Sequence, residues 1–150
     1  MRDIAKYIDH TNLRPDLTKK DIQKICKEAN QYNFASVCIN PVHVSSAAKY
    51  LKDSSSKVST VIAFPLGAIS TEIKYAEAMD AIQHGAEELD LVPNYFALKE
   101  GNNELFAEEI NQISVLGIPV RVILDVNGIF NTQSLSSAIN ASIDAGAQGI

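Results

Sequence analysis

An aspartate inside an apolar stretch is the residue of this 150-residue chain whose chemistry stands out. Asp90 lies between Leu89 and Leu91, in a segment that we expect to be buried on both faces. An ionised carboxylate there is costly unless it is paired or strongly hydrogen-bonded, and buried acids are common at functional sites. Three interpretations follow: Asp90 has a chemical role, it forms a structural ion pair, or its strand carries it to the rim of the sheet.

Three further polar residues stand near the ends of apolar segments, where barrels of alternating strands and helices place their chemistry. Asp9 and Asp125 are candidates for a substrate pocket. Each could instead stabilise a neighbouring turn, Asp125 together with Asn127-Gly128. Cys38 is a third candidate, although most such cysteines are small buried hydrophobic residues. As a nucleophile it would need a histidine base, and His10 is the one to consider.

The histidines and cysteines do not form a metal-binding pattern. His10 has no His or Cys partner at ligand spacing and is expected to be structural, while His43 and His84 lie on predicted helices. Cys26 and Cys38 sit on separate elements. We therefore predict no metal and no other cofactor. So few cysteines are typical of a reduced, cytoplasmic protein.

Five short apolar segments supply the strands that would position these residues, and a helical stretch follows each of them. The segments are 7–11, 35–40, 58–64, 89–94 and 120–125, and a sixth begins at 149–150. Nearly continuous apolar strands suit a parallel sheet covered by helices. At about 31 residues per strand–helix unit, the chain holds five units and the start of a sixth strand. We predict one α/β domain over residues 1–150, an incomplete (β/α)8 barrel of the TIM-barrel type.

A doubly wound open sheet is the structural alternative, and the turn after the first strand argues against it. Residues 9–14 contain no glycine, whereas such folds usually carry a Gly-rich phosphate turn there. Two later turns, Asn40-Pro41 and Phe64–Gly67, either shape a pocket or are ordinary strand-to-helix loops.

The helices have recognisable boundaries and faces. Thr18 is the expected N-cap of the first helix, and Asp21 completes a capping box. Glycines at 85, 117 and 146 are placed to end helices. Apolar stripes mark the expected core faces. They comprise Ile22, Ile25, Cys26 and Ala29 in the first helix, Tyr75, Ala78, Met79 and Ile82 in the third, and Phe106, Ile110 and Ile113 in the fourth.

Composition excludes several classes of partner. The formal net charge is -5 and the chain has no basic tract, which argues against nucleic-acid binding. The longest apolar run, Val61–Ile69, is far too short for a membrane span and contains Pro65 and Gly67. The first residues lack a signal-peptide pattern. We expect a cytoplasmic protein that acts on small molecules.

Taken together, the strand ends resemble those of the deoxyribose-phosphate aldolase family. The matching segments are Ile8–Asp16, Val37–Pro41, Val61–Gly67, Thr71–Lys74, Glu88–Asn94 and Ala97–Gly101. They occur in the family's order and cover nearly the whole chain. The resemblance implies a (β/α)8 class I aldolase that needs no metal and acts on a sugar phosphate and an aldehyde.

Such enzymes reversibly cleave 2-deoxy-D-ribose 5-phosphate to glyceraldehyde 3-phosphate and acetaldehyde. A neutral lysine forms a Schiff base with the aldehyde carbon, and the iminium accepts the electrons of the breaking C–C bond. By this match, Asp90 is the proton donor and acceptor and works with a second lysine. Asp9 and Cys38 would lie at the substrate end of the barrel.

Two departures from the family's pattern shape our expectations. The Schiff-base lysine opens a Lys-Thr-Ser-Thr-Gly motif on strand 6, which would begin directly after Ile150, and the second lysine and the phosphate loops would follow. We therefore expect the 150-residue chain alone to have little or no aldolase activity. Arg121 stands where the family usually has a lysine, and Asp125-Val126 stand where it has Glu-Thr.

Other interpretations stay open beside a deoxyribose-phosphate aldolase. One is a non-catalytic partial barrel that self-associates through open strand edges. Another is a different class I aldolase with a barrel fold. A homo-oligomer is compatible with each of them.

Overall fold

Strands and helices alternate along the chain in the computed structural model, which describes residues 4–125 and 132–150. The strands are β1 (Asp9–Asn12), β2 (Ser36–Ile39), β3 (Lys57–Ile62), β4 (Glu88–Leu91) and β5 (Val120–Val122). The helices are α1 (Lys19–Tyr32), α2 (Val44–Tyr50), α3 (Thr71–Gln83), α4 (Tyr95–Lys99), α5 (Asn103–Ser114) and α6 (Thr132–Asp144). Short 3-10 helices, Ile4–Tyr7 and Pro41–His43, precede β1 and α2.

The five strands follow one another in chain order in the sheet, β1-β2-β3-β4-β5. The pairs β1–β2, β2–β3 and β4–β5 are parallel, and Gly149 makes a parallel bridge to Arg121 where the sixth strand was predicted. A doubly wound sheet reverses its strand order at a switch point, and this sheet does not. The predicted parallel α/β arrangement is confirmed.

Contacts divide the chain into two compact units, and the first comprises Met1–Val61 and Asp80–Glu88. All four residues of β2 are buried, as expected for a strand covered on both faces. The predicted stripe of α1 is buried too, from Ile22 to Ala29. The capping box is present: the Thr18 N–H donates to Asp21 Oδ2 at 2.8 Å, and the Asp21 N–H donates to Thr18 Oγ1 at 3.4 Å.

The second unit comprises Ile62–Met79 and Leu89–Ile150. Its core contains the apolar stripe of the fourth predicted helix, which is α5 in the structure, together with the apolar residues of β4 and β5. These buried residues are Phe106, Ile110, Ile113, Leu89, Leu91, Val120 and Val122. Gly67 has φ +64°, and a Cβ atom there would lie 2.3 Å from the Pro93 carbonyl oxygen. Only glycine fits this turn.

The structure corrects the sequence-based description of two helices. The buried face of α3 consists of Lys74, Ala78 and Ala81. Of the predicted stripe, Ala78 is buried, Met79 and Ile82 are half-buried and Tyr75 is 40% exposed, so the face is displaced by about one residue. Helix α4 was not predicted at all, because its five residues are too few to show a helical period. The predicted turn at Asn127-Gly128 lies outside the described residues.

Every helix in the described part of the chain is too short or too polar to cross a membrane.

Candidate active site

Asp90 forms an ion pair with Arg121 on the neighbouring strand. The two residues are register partners in the parallel β4–β5 pair, and Arg121 Nε donates to Asp90 Oδ1 at 2.7 Å. The Asp90 side chain is 15% exposed and the Arg121 side chain 28%. The guanidinium thereby compensates for the water that the carboxylate has lost. The ion pair that the sequence left as one alternative is therefore present in the second unit.

This ion pair lies in the wall of an open cavity of about 480 Å³. The rest of the lining is apolar and comprises Val122, Ile123, Leu124, Leu135, Ile139 and Ile150. Small-molecule sites typically combine an apolar lining with a few fixed polar groups. The cavity can therefore hold a small organic molecule with one polar group directed at Asp90.

Gly149, where the sixth strand was predicted, lies against the stem of Arg121. A Cβ atom at Gly149 would lie 2.9 Å from Cγ of Arg121, so the absence of a side chain there makes room for the stem of Arg121. A guanidinium stays protonated at every physiological pH, so Arg121 cannot be an amine nucleophile. Its chemistry at this place is to orient the carboxylate or to attract an anion.

Tyr95 fixes the backbone just after β5. Its Oη donates to the Ile123 carbonyl oxygen at 2.8 Å and accepts from the Asp125 N–H at 3.1 Å. Burial raises the pKa of the Tyr95 phenol, which keeps it protonated as a donor. Asp125 itself is exposed and follows β5 by three residues.

Asp9 and Cys38 belong to the first unit and have different surroundings. Asp9 is the first residue of β1, not one of its last, and the Ser36 hydroxyl donates to its Oδ1 at 2.6 Å. Cys38 is 2% exposed within the fully buried β2. His10 Nε2 lies 2.8 Å from Glu28 Oε2, so the imidazole has a partner on α1. This contact lowers the pKa of the Glu28 carboxyl.

A buried ion pair in the second unit was missed by the sequence analysis. Lys74 Nζ lies 2.8 Å from Glu109 Oε1, and the two side chains are 0% and 1% exposed. A signal for it existed. Lys74 lies four residues before Ala78 on α3, and Glu109 lies between Phe106 and Ile110 on α5, so both interrupt an apolar stripe.

Within residues 4–125 and 132–150, no group of three or more His, Cys, Asp or Glu side chains is arranged to hold a metal ion. The arrangement around Asp90 is suited to moving a proton to or from a molecule in the apolar cavity, because the hydrogen bond from Arg121 helps to fix the orientation of the carboxylate.

A family model described as DeoC/LacD family aldolase matches residues 4–117. The deoxyribose-phosphate aldolase of Caldicellulosiruptor saccharolyticus is 44% identical over 97% of this chain and 68% of its own length. The crystal structure of a putative deoxyribose-phosphate aldolase from Coccidioides immitis superposes with a TM-score of 0.93 and 36% identity, over 97% of this chain and 58% of that one.

A tetrameric deoxyribose phosphate aldolase from Aeropyrum pernix has a TM-score of 0.86 and 32% identity, over 96% of this chain and 61% of that one. These likenesses confirm the predicted (β/α)8 fold class. The chain spans 68% of the length of the Caldicellulosiruptor saccharolyticus relative and 50% of that of a deoxyribose-phosphate aldolase from Streptococcus suis.

Proposed function

The chain belongs to the DeoC/LacD family of aldolases, and from this premise we propose that the whole protein is a deoxyribose-phosphate aldolase. It would reversibly cleave 2-deoxy-D-ribose 5-phosphate to glyceraldehyde 3-phosphate and acetaldehyde. Relatives with that name, from 42% to 53% identical, support this substrate class. The observation in this chain that carries the proposal is the Asp90–Arg121 pair in the wall of an apolar cavity.

The proposed reaction needs a proton to move twice. A lysine amine attacks C1 of the open-chain sugar, water leaves, and an iminium forms. A base takes the proton of the C3 hydroxyl, the C2–C3 bond breaks, and its electron pair moves into the iminium to give an enamine. Glyceraldehyde 3-phosphate departs, C2 then takes up a proton, and water hydrolyses the second iminium to acetaldehyde and free lysine.

Asp90 is our candidate for the group that moves these protons. A carboxylate can accept the hydroxyl proton and return one to C2 from a single position, provided that its orientation is fixed. Arg121 supplies that orientation by its hydrogen bond at 2.7 Å. Asp9, Cys38 and Asp125 stay in the proposal as substrate-pocket residues without assigned steps.

The nucleophile is expected after Ile150, which makes the proposal testable by trapping. Sodium borohydride is added to the whole protein together with the sugar phosphate, and the adduct is located by mass spectrometry. We expect one stoichiometric adduct, on a lysine beyond residue 150, and none on the 150-residue chain treated in the same way. An adduct on a lysine within residues 1–150 would contradict the proposal, and absence of turnover and adduct would favour a non-catalytic barrel.

Assembly and location complete the proposal. The tetramer reported for the Aeropyrum pernix relative supports a homo-oligomer, and the small number of cysteines supports a cytoplasmic location.

A further inference from the structure

The Glu109 carboxylate contacts three groups that lie outside its own helix. Oε1 accepts from Lys74 Nζ and from the Asn94 N–H, both at 2.8 Å. Oε2 accepts from Thr71 Oγ1 at 3.1 Å. One buried side chain on α5 thus holds the first turn of α3 and the backbone that follows β4.

The energetics of buried ion pairs give a reason to look for a role of this arrangement besides stability. Desolvation of two charges costs about as much as their attraction returns, and apolar side chains of similar volume often give an equally stable or more stable protein. A buried pair that also binds backbone can instead select one conformation of that backbone. The segment that Glu109 holds is therefore the place to look for its role.

That segment begins two residues after Asp90, and three of its backbone groups have defined partners. The Val92 N–H donates to the Ile62 carbonyl oxygen at 3.0 Å. The Val92 carbonyl accepts from Lys74 Nζ at 3.1 Å. Pro93 has no N–H to donate, and the Asn94 N–H donates to Glu109. After the hydrogen bond between Val92 and Ile62, the next backbone contacts of this segment are those to the Lys74–Glu109 pair, which therefore fixes the path of the chain here.

The same hydrogen bonds extend to the end of β5. Asn94 Oδ1 accepts from the Ala97 N–H at 3.1 Å and so caps α4, which begins at Tyr95. Tyr95 Oη in turn holds Ile123 and Asp125. A displacement of Asn94 would therefore move Tyr95 and the backbone that follows Arg121.

We propose that Glu109, together with Lys74, is a positioning residue of the active site, which fixes the carboxyl ends of β4 and β5 and thereby the Asp90–Arg121 geometry. The inference rests on the proposed aldolase function. An error of about 1 Å in the position of a reacting group can lower turnover about 100-fold. Glu109 itself touches no substrate in this scheme and acts through the backbone.

Two double variants of the whole protein differ in whether position 109 keeps an acceptor for the Asn94 N–H. Lys74→Met/Glu109→Leu removes the ion pair and every acceptor at position 109, and Lys74→Met/Glu109→Gln removes the ion pair but keeps an amide oxygen for the Asn94 N–H. The matched control is Lys57→Met/Glu88→Leu, which removes a partly exposed pair of 2.9 Å at the amino-terminal ends of β3 and β4. Tyr95→Phe removes the hydrogen bonds of Tyr95 Oη to Ile123 and Asp125 and leaves the Lys74–Glu109 pair in place.

For the leucine variant we expect kcat for sugar-phosphate cleavage to fall at least about tenfold, with KM within about twofold. The glutamine variant should lose less turnover than the leucine variant, because it gives up the Lys74 contact to Val92 but keeps an acceptor for the Asn94 N–H. The Lys57–Glu88 control retains both contacts and should keep kcat within about threefold of the parent. Tyr95→Phe should lose turnover severalfold. If the pair had a purely structural role, kcat would not fall selectively over KM, and the leucine and glutamine variants would have similar turnover.

Hydrogen exchange provides a second measurement that does not depend on activity. The Asn94 and Asp125 amides should exchange faster in the leucine variant than in the glutamine variant, and Tyr95→Phe should affect Asp125 alone. Equal kcat and equal exchange in the two double variants would overturn the proposal. If the leucine variant does not fold, unchanged turnover and Asp125 exchange in Tyr95→Phe would overturn it. A parent without aldolase activity would refute the proposed function, and exchange would still decide the role of Glu109.

Discussion

Asp9 in the first unit and Asp90 in the second are both partly buried carboxylates on parallel strands, but their partners differ. Asp90 is the third of the four residues of β4 and pairs with the guanidinium of Arg121 on the neighbouring strand β5. Asp9 is the first residue of β1 and accepts from a neutral hydroxyl on β2. The position of each carboxylate along its strand, together with the Arg121 contact of Asp90, is the reason that Asp90 and not Asp9 is our candidate for proton transfer.

The strongest test of this contrast replaces each carboxylate by its amide. In the whole protein, Asp90→Asn should lower kcat about 10²- to 10⁴-fold, because an amide cannot exchange a proton with substrate. Asp9→Asn should lower kcat less than about tenfold, because an amide oxygen can still accept the Ser36 hydrogen bond. Steady-state kinetics on the sugar phosphate measure both, with circular dichroism as the check on folding. Equal losses would remove the distinction.

A smaller effect is expected from the partner of Asp90. Arg121→Gln removes the charge beside the carboxylate, and loss of a hydrogen bond between charged groups is worth about 1.5–3 kcal/mol, or roughly 10- to 100-fold in turnover. Arg121→Lys keeps the positive charge without the guanidinium fork and should lose less. The comparison is made on kcat with KM recorded beside it. Parental turnover in Arg121→Gln would mean that the ion pair does not contribute to the chemistry.

The smallest effect is expected from the helix cap at Thr18 in the first unit, and it is measured as a change in the free energy of unfolding. The Thr18 hydroxyl and N–H lower the pKa of Asp21 below its usual value. A carboxyl with a lowered pKa stabilises the folded state above its unfolded pKa, and this contribution is lost as pH falls through the folded pKa. Thr18→Ala should lower the free energy of unfolding by about 1 kcal/mol at pH 7, with unchanged turnover.

Denaturant unfolding of the parent and Thr18→Ala at pH 7 and pH 3 measures this difference. The difference in the free energy of unfolding should be smaller at pH 3, because a protonated Asp21 carboxyl accepts the hydrogen bonds from Thr18 less strongly than the carboxylate does. A difference that grows as the pH falls would contradict the capping-box interpretation.

Much of the fold followed from the sequence because its signals are local. The five strand–helix units, the capping box at Thr18 and the buried stripe of α1 are encoded by neighbouring residues. The prediction of one domain over residues 1–150 is not tested by these observations and stays a prediction. The roles of Asp90, Asp9, Cys38 and Asp125 also stay predictions.

The parts that sequence reasoning missed depend on contacts between distant residues. Asp90 and Arg121 meet only through the β4–β5 register, over a separation of 31 residues. Lys74 and Glu109 are 35 residues apart, and although each interrupts an apolar stripe on its own helix, neither stripe indicates which charge is the partner. No local pattern specifies such pairs. A charge inside an apolar helical stripe is the nearest available signal, and α3 shows that a stripe can be misplaced by one residue.

The bare backbone at Gly149 has a consequence for anyone who wishes to redesign this protein. Since the stem of Arg121 occupies the space that a methyl group would take, even alanine at that position would push the guanidinium sideways. Directed evolution of substrate range would do well to leave this position unvaried and to diversify Leu135 and Ile139 instead, which face the same cavity from α6.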